Sequence, residues 1–134
     1  MNSMRLRLEL FVEDLDASIA FYTGVLAFEL SRRSDDYASL RRGSVVLGLG
    51  PVAKLPATGG PGFRPDRLRA AGGKGAGVEI VLETDDLTAL HDRCAAAGVV
   101  AEPLQSRPWG LADFRITDPD GYYLRITHGD ATTD

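Results

Sequence analysis

The most constraining feature of the chain is that its second half repeats the pattern of its first. Residues 4–12 alternate, with Leu6, Leu8, Leu10 and Val12 on one side and Arg5, Arg7, Glu9 and Phe11 on the other. Period-two alternation marks a strand with one face in a core. Asp14 or Asp16 then suits a helix N-cap, and Leu15, Ile19, Phe21, Tyr22 and Leu26 supply an apolar helical stripe to about residue 26. Three short strands are predicted near 28–32, 36–41 and 44–49, with Gly43 in the last turn. Further on, Val78, Ile80 and Leu82 alternate with Glu79, Val81 and Glu83, and Asp85-Asp86 precedes a helix carrying Leu87, Leu90, Cys94 and Ala97. Gly98 suits the end of that helix, and strands are predicted near 99–104, 112–117 and 122–127. Setting Asp14-Leu15 on Asp86-Leu87, 72 residues later, brings Leu8 onto Ile80, Leu10 onto Leu82 and Arg7 onto Glu79. Two tandem βαβββ units of roughly 50 residues make an α+β fold.

At 134 residues the chain is expected to form a single domain spanning 1–134, with module one at about 4–50 and module two at about 77–128. The connection, 51–76, is rich in Gly and Pro, and only Pro65 to Ala71 could make a short helix. A connection of that length is either a flap over a binding cleft or a mobile crossover, and both readings stay open. The net charge of -4 argues against a nucleic-acid partner, whose phosphates call for a basic face. The single cysteine, Cys94, cannot form an internal disulfide and reads as a buried helix residue rather than a nucleophile. There is no secretory leader pattern and no run of about 18 apolar residues, so no membrane is expected as a partner and a cytoplasmic location is.

Several short stretches carry a family resemblance. Arg107-Pro108-Trp109-Gly110 is followed by Phe114 and by the turn Asp118-Pro119-Asp120-Gly121, which leads into Tyr122 to Thr127. Near the start stand Val12-Glu13-Asp14-Leu15 and Phe21-Tyr22. This combination, with the repeat, resembles the glyoxalase/bleomycin-resistance/dioxygenase group, the vicinal oxygen chelate superfamily, over about residues 4–128. The resemblance implies a half-open curved sheet or barrel with the site on its concave side. For members of the bleomycin-resistance type it also implies a homodimer with ligand clefts between protomers. Enzymes of the group place His or Glu on their strands to hold a divalent cation, which polarises substrate oxygens without moving a proton. Carried onto this chain, those positions fall at Arg7, at Glu79, at Arg125 and at Leu47, or Gly48 if the register slips by one. An arginine stays protonated and cannot coordinate a cation, so only Glu79 of the four could. His91 reads as a solvated side chain in mid-helix and His128 as part of a tail. Neither a metal nor another cofactor is therefore expected, and the chain looks most like the metal-free, antibiotic-binding members.

Alternation puts Arg7, Glu9 and Phe11 opposite Leu8 and Leu10, Glu79 opposite Ile80, and Tyr123 and Arg125 opposite Leu124. Such charges are costly to bury unless they pair, so Arg7, Glu79 and Arg125 are expected to form an ion-pair network where the metal would lie. The same groups could orient a ligand. The resemblance sets Trp109 beside the ligand cleft, where an exposed ring can stack on a flat molecule. Tyr37, Phe63, Phe114 and Tyr123 are further candidates for an aromatic wall. The ligand-contacting set expected from all this is Arg7, Glu9, Phe11, Tyr37, Leu47, Phe63, Glu79, Trp109, Phe114, Tyr123 and Arg125, with no catalytic residue. The function expected is stoichiometric sequestration of a bulky aromatic small molecule, an antibiotic in a bacterial self-resistance role. The alternative is a lyase, isomerase or dioxygenase-like enzyme of the same fold, metal-free or with displaced metal ligands. Glu9 or Glu79 would then be the base and an arginine the oxyanion stabiliser. A third reading is an interaction module without a ligand of its own.

Overall fold

Apolar residues at alternating positions need a partner strand before they can bury anything, and this decides where each strand begins. In the computed structural model, which describes residues 3–55 and 74–129, β1 starts at Leu8 rather than at residue 4. Its ladder with the parallel partner begins at the pair Leu8 and Leu47, and Met4 and Leu6 before it are exposed. The first module runs β1 (Leu8–Val12), α1 (Leu15–Gly24), β2 (Glu29–Ser34), β3 (Tyr37–Arg42) and β4 (Val45–Pro51). Its sheet has the order β1-β4-β3-β2, with β1 parallel to β4 and the other pairs antiparallel. The second module repeats this as β5 (Ile80–Glu83), α2 (Leu87–Ala96), β6 (Val100–Ser106), β7 (Ala112–Thr117) and β8 (Tyr123–Thr127). Its order is β5-β8-β7-β6, with β5 parallel to β8. The tandem βαβββ arrangement is thus the observed one. Each module is a compact unit, the division falling between Lys74 and Gly75.

Local chemistry accounts for the ends of the elements. Asp14, extended at φ -130°, caps α1 by accepting a hydrogen bond from the Ala17 amide at 3.0 Å. Asp86 precedes α2 without such a bond, its carboxylate being engaged by the Thr84 hydroxyl. Gly98, at φ +73°, takes the left-handed conformation that ends α2, and its amide donates to the Ala95 carbonyl. The turn between β7 and β8 is built on buried Asp118, whose Oδ1 accepts from the Asp120 and Tyr122 amides at 2.9 Å each.

The core of each module lies between its sheet and its helix. In the first, Leu15, Ile19, Phe21 and Tyr22 of α1 are buried with Leu10, Val12, Leu40, Leu47 and Leu49, and the Tyr22 ring meets Phe21 and Phe28 edge-on. In the second, Leu90 and Cys94 of α2 are buried with Ile80, Leu82, Phe114, Ile116, Leu124 and Ile126. Full burial of one such side chain is worth about 1.5–3 kcal/mol. Burial pushes the Cys94 thiol up to about 11, which leaves it protonated and unreactive at neutral pH.

Some expectations shift. The connection opens with a short 3-10 turn, Val52–Lys54, whose Val52 is fully buried. The helix candidate at Pro65 to Ala71 and the aromatic candidate Phe63 lie outside the described residues. His91 is not solvated: its ring packs edge-on against Phe114 at 5.0 Å between centroids, because it lies on the flank of α2 that turns toward the sheet. His128 is no loose tail either, since its Nε2 accepts the Ala112 amide at 3.0 Å and fastens the end of β8 to the start of β7. β2 is exposed along its whole length, with a bulge between Leu30 and Arg32, and β6 carries two such irregularities and Pro103.

Candidate functional site

Because side chains alternate across a strand, each sheet has a core face and a polar face, and the polar face is where the candidate residues gather. In the first module Leu47 and Leu49 of β4 enter the core while Gly48 and Gly50 face the other way. Gly48 pairs with Glu9 on one side and Ser39 on the other, and Ser39 pairs with Arg32. A methyl group at Gly48 would overlap the Glu9 carboxylate and the Tyr37 hydroxyl, and one at Gly50 would touch the Phe11 ring at 3.7 Å. Two glycines therefore give the room in which Glu9 and Phe11 lie across the strand. Arg7 closes this cluster: its Nε donates to Glu9 Oε1 at 2.8 Å, and its terminal nitrogen reaches the Tyr37 hydroxyl and, at 3.4 Å, Ser39 Oγ. The Tyr37 hydroxyl in turn donates to the Glu9 carboxylate at 3.1 Å. These bonds, that to Tyr37 first, raise the Arg7 guanidinium above its usual value. The guanidinium groups of Arg7 and Arg32 lie 5.9 and 5.7 Å from the centre of the Tyr37 ring.

The second module has the same row in the same register: Val81 pairs with Arg125, Arg125 with Arg115, and Arg115 with Glu102. Arg125 thus occupies the place of Gly48. Its Nε donates to Glu79 Oε1 at 3.1 Å, and its Nη1 reaches Asp113 Oδ2 at 3.5 Å. Glu79 also accepts the Tyr123 hydroxyl at 2.7 Å. That bond, and next the hydrogen bond and charge of Arg125, hold the Glu79 carboxyl below the usual carboxylate range against the opposing effect of burial, while burial and Glu79 push the Tyr123 phenol up. Asp113 has no solvent exposure and takes a second bond, 2.7 Å, from Arg107 Nε. Arg115 Nη1 donates to Glu102 Oε2 at 2.9 Å, which raises the Arg115 guanidinium. Trp109 stands in the turn between β6 and β7, 59% exposed, with the Arg107 guanidinium 6.0 Å from its ring centre.

The polar faces thus bring Arg7, Glu9, Phe11 and Tyr37 together in one module, and Glu79, Tyr123 and Arg125 in the other. The ion pairing expected of Arg7, Glu79 and Arg125 takes a different form: Arg7 is satisfied by Glu9, Tyr37 and Ser39 of its own module, and only Glu79 and Arg125 pair as expected. Leu47 and Phe114 are not on these faces. Leu47 pairs with Leu8 and Leu40, Phe114 with Ile126, and both side chains are wholly buried, so the position equivalent to Arg125 is Gly48. Sequence reasoning missed Glu102, Arg107, Asp113 and Arg115. Parity marked Asp113 and Arg115 as opposite to Phe114 and Ile116; nothing comparable marked Glu102 or Arg107.

The donor set does not fit a divalent metal. The positions that carry ligands in the enzymes hold Arg7, Gly48, Glu79 and Arg125, and Glu79 is already committed to Tyr123 and Arg125. Among the described residues no group of three or more His, Cys, Asp or Glu side chains could hold a metal ion.

Solved structures with the same fold include TioX from Micromonospora sp. ML1, at 22% identity and a TM-score of 0.75, covering 94% of this chain and 98% of that one. A lactoylglutathione lyase from Agrobacterium tumefaciens is similar at 21% identity and a TM-score of 0.72, with 96% of each chain covered. A bleomycin resistance determinant encoded on the transposon Tn5 is similar at 20% identity and a TM-score of 0.67, covering 96% of this chain and 99% of that one. No curated protein matches the sequence. At such identities the solved structures speak for the fold alone. The family model of the Glyoxalase/Bleomycin resistance protein/Dioxygenase superfamily, in contrast, matches residues 6–126 of the sequence itself. With its tandem modules and that match over nearly its whole length, the chain belongs to the glyoxalase/bleomycin resistance/dioxygenase superfamily.

Proposed function

We propose that the protein is a non-catalytic small-molecule binder, a cytoplasmic homodimer that sequesters a bulky aromatic antibiotic in the manner of a bleomycin-resistance protein. The observation that carries this reading is the replacement of metal-ligand positions by guanidinium groups already paired with carboxylates and phenols in each module. Paired in this way they give fixed hydrogen-bonding surfaces for orienting a ligand and no open coordination position for activating one. Trp109 supports the aromatic part, since a ring 59% exposed on a turn offers a face for stacking. The enzyme alternative is weakened at Glu79. A general base works best with a pKa near the operating pH, and the Tyr123 and Arg125 contacts move this one the other way.

The test joins elemental analysis of the purified protein to a titration with bleomycin followed by Trp109 fluorescence. Saturable quenching at one ligand per protomer, by protein without stoichiometric metal, is the expected result. Near-stoichiometric zinc, iron, nickel or manganese that survives chelator treatment, with no quenching, would overturn the proposal in favour of an enzyme.

A further inference from the structure

On the polar face of the second module the hydrogen-bond inventory is unbalanced in one direction. Among the described residues, Arg115 Nε and a terminal nitrogen of Arg107 are buried and have no hydrogen-bond partner. Both guanidinium groups are turned toward one carboxylate, that of Glu102, which serves them poorly. It takes a single bond from Arg115 at 2.9 Å, while its other oxygen accepts from Gln105 Nε2 at 3.5 Å and lies 3.7 Å from Arg107, beyond hydrogen-bond reach. A guanidinium can give a carboxylate two parallel bonds, so this arrangement leaves donor capacity unspent. Glu102 is also the least enclosed member of the group, its side chain 47% exposed against 15% for Arg107 and 20% for Arg115. The arginines are held from behind. Fully buried Asp113 fixes Arg107 through Nε at 2.7 Å and reaches Arg125, itself held by Glu79. Trp109 lies over the Arg107 guanidinium at the edge of the group.

We infer that Glu102 is a placeholder, and that Arg107 and Arg115 bind the carboxylate of an aromatic acid whose ring lies against Trp109. The exposed Glu102 side chain swings outward, the incoming carboxylate takes both nitrogens of the Arg115 fork and the vacant nitrogen of Arg107, and Asp113 keeps Arg107 aimed throughout. The exchange is neutral in charge: one carboxylate leaves the pair of guanidinium groups and another arrives. This rests on the small-molecule-binding reading above and adds to it a class of ligand that carries an anionic group beside an aromatic surface.

The experiment is calorimetric titration of the full chain with 2-naphthoate, with the neutral 2-naphthamide, and with inorganic phosphate. Naphthoate is expected to bind at least about tenfold more tightly than the amide, the scale of a charge-assisted hydrogen bond, and more tightly than phosphate. Glu102→Gln, which weakens the internal competitor, should tighten naphthoate binding several-fold. Arg115→Lys, which keeps the charge and loses the fork, should weaken it about tenfold. The opposite signs of the two variants separate displacement of Glu102 from general loss of structure. Equal affinity for acid and amide, or no gain in Glu102→Gln, would overturn the inference. Phosphate binding as tightly as naphthoate would remove its aromatic half. If naphthoate fails to bind while bleomycin still quenches Trp109, the inference falls and the binding reading stands; failure of bleomycin alone overturns the bleomycin-type ligand and leaves the inference standing.

Discussion

Asp113 shows what a single side chain contributes here. With no solvent exposure it accepts bonds from Arg107 and Arg125, so deleting it removes the buried anion these two largely enclosed guanidinium groups share and leaves Arg107 only Glu102, at 3.7 Å. Asp113→Ala is expected to destabilise the protein by about 3 kcal/mol, measured by urea unfolding, because removing one member of a buried ionic group costs more than the group itself gains. Glu79 is more exposed, and its effect is one of pH. Its carboxyl titrates below its ordinary value in the fold, so the folded state binds the proton less readily than the unfolded chain. The stability it contributes is present above the ordinary carboxylate range and is lost as pH falls through it and below. Tyr123 has the opposite sign: its raised phenol contributes stability that is lost as pH rises past the ordinary tyrosine range. Urea midpoints followed from pH 7 to pH 3 should fall less steeply in Glu79→Gln than in the wild type. Parallel curves would refute the assignment.

At the scale of elements, the two helix starts make a matched pair. Asp14 makes its capping bond and Asp86 does not, although the repeat aligns them. Asp14→Ala should therefore cost about 1 kcal/mol of stability and Asp86→Ala clearly less, a difference that thermal unfolding of the two variants would resolve. Parity explains which parts of the elements were legible in sequence. Leu10, Val12, Ile80, Leu82 and Leu124 fall on the core face as alternation requires, and Arg7, Glu9, Glu79, Tyr123 and Arg125 fall on the other. The same rule, applied to β7, sends Phe114 inward with Ile116; reading it as an aromatic wall set residue type above position. β6 could not be read this way. Its register shifts twice, between Val100 and Glu102 and again before Gln105, and each shift resets which residues share a face. Glu102 was hidden for that reason, and Arg107 lies beyond the strand in a turn, where alternation does not apply.

For the molecule as a whole, the repeat determines more than the fold. Equivalent rows cross both sheets, yet Gly48 in one stands where Arg125 stands in the other, so a duplicated framework carries two different polar clusters. The edges of the sheets are treated unequally as well. At one side of each sheet lies a strand that is hard to extend: β2, exposed throughout, bulged and bearing Arg32 and Arg33, and β6, interrupted by Pro103, which has no amide to donate. Within its own sheet, the opposite edge has no such defence. The registers of β1 and β5 are regular, and Val81 of β5 is 40% exposed. Heat-induced aggregation should accordingly seed at β1 and β5. Val81→Lys should delay the rise in light scattering on heating while Ser31→Lys in β2 leaves it unchanged. The handling of this protein in concentrated solution, and not only its ligand chemistry, would then be governed by two short strands of four and five residues.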